Sequence, residues 1–110
     1  MATPEISVDE LATLLSAAGS SLRLVDVRET DEYASGHVPG AQLVVLGMVP
    51  DNVDAFRGDG PAYVICRSGA RSMRACEFLA AQGVEAVNIA GGTLAWQHSG
   101  RPVVTGDSPS

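Results

Sequence analysis

The densest concentration of chemically useful side chains in the 110-residue chain is Cys66-Arg67-Ser68-Gly69-Ala70-Arg71-Ser72, which sets a nucleophile, two guanidinium groups and two hydroxyls side by side. It follows Ala62-Tyr63-Val64-Ile65, a run with the length and apolarity of a strand buried on both faces. It leads into a helical pattern from about Ser72 to Gln82. A cysteine at that junction lies in the positive potential of unpaired amides and a helix dipole, which favours the thiolate. Gly69 tolerates a backbone conformation most residues resist, so successive N–H groups can turn inward as an anion-binding nest. An isolated cysteine near a strand end is most often a packing residue. Arg67 and Arg71 add nothing to a core, however, while guanidinium forks suit sulfate-like or phosphate-like oxyanions.

Magnitudes indicate what such a loop is for. Lowering a thiol pKa from ~8.5 to ~6.5 raises the thiolate fraction at pH 7 about 25-fold, and a Brønsted slope near 0.5 removes about tenfold of intrinsic reactivity. The net gain is severalfold, so the nest acts chiefly by positioning a reactant and holding negative charge, as an oxyanion hole does. This reading needs a thiol that reactants can reach and amides that face it.

The other candidates read as scaffold. Cys76 falls on the apolar face of the following helix with Ala75, Leu79 and Ala80, which suits buried packing rather than catalysis. His37 stands in the turn before Pro39-Gly40 without obvious partners, so packing is expected. Asp26 and Arg28 end a strand and are expected to brace the site through loop amides and Glu29 or Glu32. Trp96, the single tryptophan, either fills the core or walls the pocket.

The elements that must position these groups alternate strand and helix, the pattern of a parallel sheet covered on both faces. Ser7-Val8-Asp9-Glu10 has capping-box spacing, and Val8, Leu11, Ala12 and Leu15 follow at helical intervals, giving a helix to about Ala18 stopped by Gly19. Strands are expected over Leu22 to Val27, Gln42 to Leu46, Ala62 to Ile65 and Val84 to Ile89. Helices are expected over Glu29 to Ala34, Asp51 to Phe56, Ser72 to Gln82 and Thr93 to Ser99. Residues 1–104 form one domain in this reading, and the tail Thr105 to Ser110 is expected to be disordered.

Composition narrows the function classes. A formal net charge of -6 speaks against a general nucleic-acid or anionic-membrane surface. No apolar run approaches a membrane span, and the opening Met1-Ala2-Thr3-Pro4-Glu5 lacks the pattern of a signal peptide, so a cytoplasmic protein is expected. Two cysteines and two histidines at unrelated positions build neither a disulfide scaffold nor a zinc site, and no cofactor or metal is expected.

Three segments together resemble the rhodanese family in its single-domain form: Asp26-Val27-Arg28-Glu29 with Glu32-Tyr33 and Gly36-His37-Val38-Pro39-Gly40-Ala41; Val64 to Ser72; and Gly91-Gly92-Thr93-Leu94-Ala95-Trp96 with Gly100-Arg101-Pro102-Val103. They cover nearly the whole domain in family order. The resemblance implies a three-layer α/β/α sandwich on a five-stranded, mainly parallel sheet, and a thiosulfate sulfurtransferase. Cys66 would be the sulfur-accepting nucleophile, and Arg67, Ser68, Gly69, Ala70, Arg71 and Ser72 would line the cup around it. Its thiolate would attack the outer sulfur of thiosulfate or a persulfide donor, and the persulfide would pass to a thiophilic acceptor such as cyanide, thioredoxin or a small thiol. A sulfur carrier fed by a partner protein's persulfide is the alternative. Related cysteine-dependent phosphatases and arsenate reductases use a loop one residue longer, which disfavours their chemistry here, since Arg71 lies five positions after Cys66. A monomer or weak dimer is expected.

Overall fold

A computed structural model describes residues 3–110, so Met1 and Ala2, with the expected start of the domain at residue 1, lie outside the described residues. Five strands form one sheet: β1 (Glu5–Ile6), β2 (Leu24–Asp26), β3 (Gln42–Leu43), β4 (Ala62–Ile65) and β5 (Ala86–Ile89). Their order is β1-β5-β4-β2-β3 and every pairing is parallel. The helices are α1 (Val8–Ala18), α2 (Thr30–Ser35), α3 (Ala70–Ala81) and α4 (Gly92–His98). Parallel neighbours require crossovers, and the helices of those crossovers cover both faces of the sheet.

Side-chain alternation along the central strand decides which layer each residue joins. Ala62, Val64 and Cys66 enter the core with Ala75, Cys76 and Leu79 of α3, together with Val49 and Phe56. Ile65 enters the opposite core with Leu11 of α1, Tyr33 of α2 and Trp96 of α4. Cys66 continues this alternation one step past β4, which turns its side chain toward the N-terminus of α3.

Local signals explain the element ends. Ser7 Oγ accepts the Glu10 N–H at 3.1 Å while Glu10 Oε1 accepts the Ser7 N–H at 3.2 Å, so the capping box of α1 is closed in both directions. The strand expected from Leu22 begins at Leu24, because the Leu22 N–H closes a 3₁₀ turn on Gly19 O. The strand expected to reach Leu46 is regular only over Gln42–Leu43, although the Val44 and Leu46 amides still bond to Asp26 O and Val27 O. The helix expected over Asp51 to Phe56 is a 3₁₀ segment, Pro50–Phe56, kinked at Asn52. Strand β5 starts at Ala86 rather than Val84, and β1 had no sequence signal.

Two differences bear on the site. Helix α3 begins at Ala70, two residues earlier than its periodicity predicts, so Arg71 and Ser72 belong to its first turn. The tail expected to be disordered is bonded to the body: Gly106 N–H donates to Ala34 O at 2.8 Å and Gly40 N–H to Pro109 O at 2.9 Å. Backbone groups carry these bonds, and a polar composition alone does not disclose them.

Candidate active site

The loop from Cys66 to the start of α3 folds back over its own cysteine. Gly69 adopts φ +108°, and a Cβ there would meet nothing closer than 3.6 Å, so backbone conformation rather than space calls for glycine. This conformation points the Gly69 N–H at Cys66 Sγ, 3.1 Å away, and Ser72 Oγ stands 3.3 Å from the same sulfur. Burial pushes the Cys66 thiol up. Hydrogen bonding at the sulfur, with the Ser72 hydroxyl and from the amides of Ser72, Gly69 and Ser68, outweighs it, and the thiol falls below its ordinary value. The α3 N-terminus adds its dipole in the same sense.

A second loop fixes the first from behind. The Thr93 N–H and Thr93 Oγ1 donate to Cys66 O at 2.9 and 3.1 Å, and the Leu94 N–H donates to Arg67 O at 3.0 Å. With the carbonyls of Cys66 and Arg67 drawn toward α4, the following amides are free to face the sulfur. Gly92 makes the approach feasible, because a Cβ at that residue would lie 2.4 Å from Cys66 O and 2.6 Å from Arg67 O.

The sequence-predicted residues do not all converge on the sulfur. Gly69 and Ser72 touch it, while Arg67, Ser68 and Ala70 are exposed around it. Arg71 turns to α2 and grips Glu32, Nη1 to Oε1 at 2.7 Å and Nη2 to Oε2 at 2.8 Å. Arg71 holds the Glu32 carboxyl down to about 2, and Glu32 raises Arg71 in return. The inward amides match the sequence expectation, but accessibility differs: Cys66 is 1% exposed, so its sulfur lies beneath the loop rather than on it.

The scaffold residues are as follows. Asp26, fully buried, accepts Arg28 Nε and Nη2 and the Arg28 N–H, and Arg28 Nη2 also donates to Gly36 O at 2.9 Å. Arg28 therefore braces Asp26 and the turn rather than Glu29 or Glu32, since Glu32 is taken by Arg71. His37 is buried, stacked on Tyr33 at 3.7 Å, with Nδ1 2.8 Å from Tyr33 O and Nε2 2.8 Å from Ser108 O. Trp96 packs in the core opposite Cys66, donates to Pro102 O at 2.8 Å, and borders a groove of about 470 Å³ with Ala12, Leu15 and Arg101, away from the cysteine loop. Cys76 is buried, and desolvation pushes its thiol up to about 12. Among the described residues no group of three or more His, Cys, Asp or Glu is placed to hold a metal ion, and no helix is long and apolar enough to cross a membrane.

Sequence reasoning missed Asn88 and Thr93. Asn88 is a fully buried amide in β5 whose Nδ2 donates to Glu5 Oε2 at 2.8 Å and Gly69 O at 3.2 Å. An asparagine inside an apolar strand run was the available signal.

Comparison with known proteins agrees with this geometry. Residues 7–99 match the family model described as a rhodanese-like domain. The chain is 37% identical to a sulfurtransferase of Allochromatium vinosum, over 91% of this chain and 94% of that protein. It is 30% identical to thiosulfate sulfurtransferase GlpE of Shewanella oneidensis, over 86% and 92%. The crystal structure of a rhodanese-like domain protein from Staphylococcus aureus superposes with a TM-score of 0.83 at 34% identity, covering 94% of this chain and 99% of that one. A cysteine set beneath inward-turned amides between strand and helix, on a parallel sheet of this order, is thus joined by sequence and fold to proteins named for moving sulfur, and the chain belongs to the rhodanese-like family.

Proposed function

We propose that the protein is a sulfurtransferase that accepts sulfane sulfur on Cys66 from thiosulfate or a persulfide donor and passes it to a thiophilic acceptor. The observation that carries this reading is the Gly69 N–H aimed at Cys66 Sγ at 3.1 Å, one of a set of main-chain donors around a thiol lowered below its ordinary value. Those donors suit a sulfur anion seated in the loop.

Because Cys66 is 1% exposed at rest, the loop must draw aside to admit the donor. The Cys66 thiolate then attacks the outer sulfur of thiosulfate, the new S–S bond forms, and the bond to the oxidised sulfur breaks. Sulfite leaves with that electron pair, and Cys66–S–S⁻ keeps the single negative charge. A thiolate or cyanide then attacks the terminal sulfur and returns the Cys66 thiolate. The amides of Ser68, Gly69 and Ser72 hold the terminal sulfur in this scheme. Arg67, exposed at the loop's start, and Arg71, which keeps N–H groups beyond the two given to Glu32, attract the donor's oxygens. Ala70 lines the rim.

Intact-mass spectrometry after incubation with thiosulfate tests the proposal. A gain of one sulfur, ~32 Da, on Cys66 and its absence in Cys66→Ala are expected for a covalent intermediate. A gain from a protein persulfide but none from thiosulfate would assign the chain to the carrier class instead. No gain from either would overturn sulfur transfer through Cys66.

A further inference from the structure

Ser72 has one hydroxyl proton and three acceptors within reach: Cys66 Sγ at 3.3 Å, Gly69 O at 3.3 Å and Asn88 Oδ1 at 2.5 Å. The orientation of the Asn88 amide decides among them. Its other end faces Glu5 Oε2 and Gly69 O, which only accept, so Nδ2 must lie there and Oδ1 must face Ser72. Gly69 O already receives the Asn88 Nδ2 and Met73 N–H donors. Asn88 Oδ1, fully buried, has Ser72 as its donor among the described residues. Ser72 therefore gives its proton to Asn88 and turns its lone pairs toward Cys66 Sγ.

We propose that Asn88 is a positioning residue that withholds the Ser72 proton from Cys66, favouring the resting thiol and the sulfur-loaded form over the bare thiolate. In the resting site the thiol donates to Ser72 Oγ, which donates to Asn88 Oδ1, and every group in the chain is satisfied. A bare thiolate meets the lone pairs of Ser72 unless the hydroxyl turns, and turning it strands a buried carbonyl oxygen without a donor. Once sulfur is loaded, the inner sulfur carries two covalent bonds and no charge, so the hydroxyl can stay on Asn88 while the loop amides hold the terminal sulfur. This second half rests on the proposed persulfide; the first half rests on the hydrogen-bond geometry alone.

The other charged or titratable groups around the thiol lie on separate elements. Arg67 and Arg71 stand at the loop, with Glu32 of α2 and Asp26 of β2 acting through Arg71. Cys76 lies on α3, and Glu5 of β1 reaches Asn88. Substitutions at Ser72 and Asn88 leave their charges in place.

The test is the pH profile of iodoacetamide alkylation of Cys66 in the full chain, where Cys76, pushed up to about 12, stays silent. In Asn88→Leu the hydroxyl is released to sulfur, and the apparent Cys66 pKa should fall by about one unit, with about threefold faster alkylation below it. Ser72→Ala should not raise the pKa, and the Asn88→Leu/Ser72→Ala double variant should match Ser72→Ala alone. A raised pKa in Ser72→Ala with none lowered in Asn88→Leu would show the proton already on sulfur and overturn the proposal. If Asn88→Leu fails to fold, the S–H stretching band in the infrared replaces it, read in otherwise wild-type protein carrying Cys76→Ala. A band shifted to lower frequency by donation to Ser72, and released in Ser72→Ala, supports the relay; a band indifferent to Ser72 overturns it. Alkylation and the S–H band report on the thiol itself, so neither depends on whether thiosulfate loads Cys66.

Discussion

Glu32 and Arg71, 39 positions apart, meet end-on through two bonds of 2.7 and 2.8 Å, and this contact ties the first turn of α3 to α2. Glu32 Oε1 also accepts the Glu29 N–H at 3.1 Å, so one carboxylate caps α2 and anchors the edge of the cysteine loop. The loop's conformation thus depends on a residue that never reaches the sulfur.

The pair gives a pH signature of known sign. Arg71 holds the Glu32 carboxyl at about 2, below its ordinary 4.5. A carboxyl depressed by folding stabilises the folded state above its unfolded pKa, and that stability is lost as pH falls through the folded value. The two side chains are 33% and 27% exposed, so screening limits the effect. Glu32→Gln should cost up to about 1 kcal/mol at pH 7. The gap from wild type should close between roughly pH 4.5 and 2, as followed by urea unfolding across that range.

The two cysteines should separate cleanly. Cys66→Ala is expected to abolish sulfur transfer from thiosulfate to cyanide, at a stability cost of about 1 kcal/mol because its sulfur is buried too. Cys76→Ala, deleting a buried sulfur from the core beneath α3, should cost about 1 kcal/mol and retain most activity. Equal loss of activity in both would contradict the assignment of the nucleophile.

Gly92 and Gly83 test the difference between crowding and conformation. Both have positive φ, +58° and +78°, but a Cβ on Gly83 meets nothing within 4 Å, whereas one on Gly92 collides with the carbonyls of Cys66 and Arg67. Gly83→Ala should cost about 1–2 kcal/mol of conformational strain with activity retained. Gly92→Ala must also push the cysteine loop away, so it should lower both the unfolding midpoint and the rate of transfer.

Arg28→Met should be among the most damaging single changes. It leaves the fully buried Asp26 without its guanidinium partner, which is expected to cost about 3–5 kcal/mol. Thermal unfolding of the variant would check this, and a loss below about 1 kcal/mol would mean that water or the loop amides replace the arginine.

Much of this arrangement is legible in the sequence because local rules act on it directly. The capping box at Ser7 and the apolar run Ala62 to Ile65 each depend on near neighbours, and the structure follows them. The early start of α3 escaped because hydrophobic periodicity begins only where the helix meets the core, two residues after its backbone closes. The residue type of Arg71 marks it for anions, but its pairing with Glu32 is not legible, because that partner on α2 lies far away in sequence. Asn88 and Thr93 escaped for the same reason: each works through a contact with the cysteine loop that only the assembled sheet creates.

The depth of Cys66, 1% exposed beneath Gly69 and Ser68, makes the site a gauge of molecular reach. An S–S bond is about 2 Å long, so a sulfur added to Sγ advances the reactive atom by that much toward the opening. In the proposed persulfide the acceptor therefore meets its sulfur nearer the opening than the donor meets Sγ, so the depth of the loop sets a longer minimum reach for donors than for acceptors.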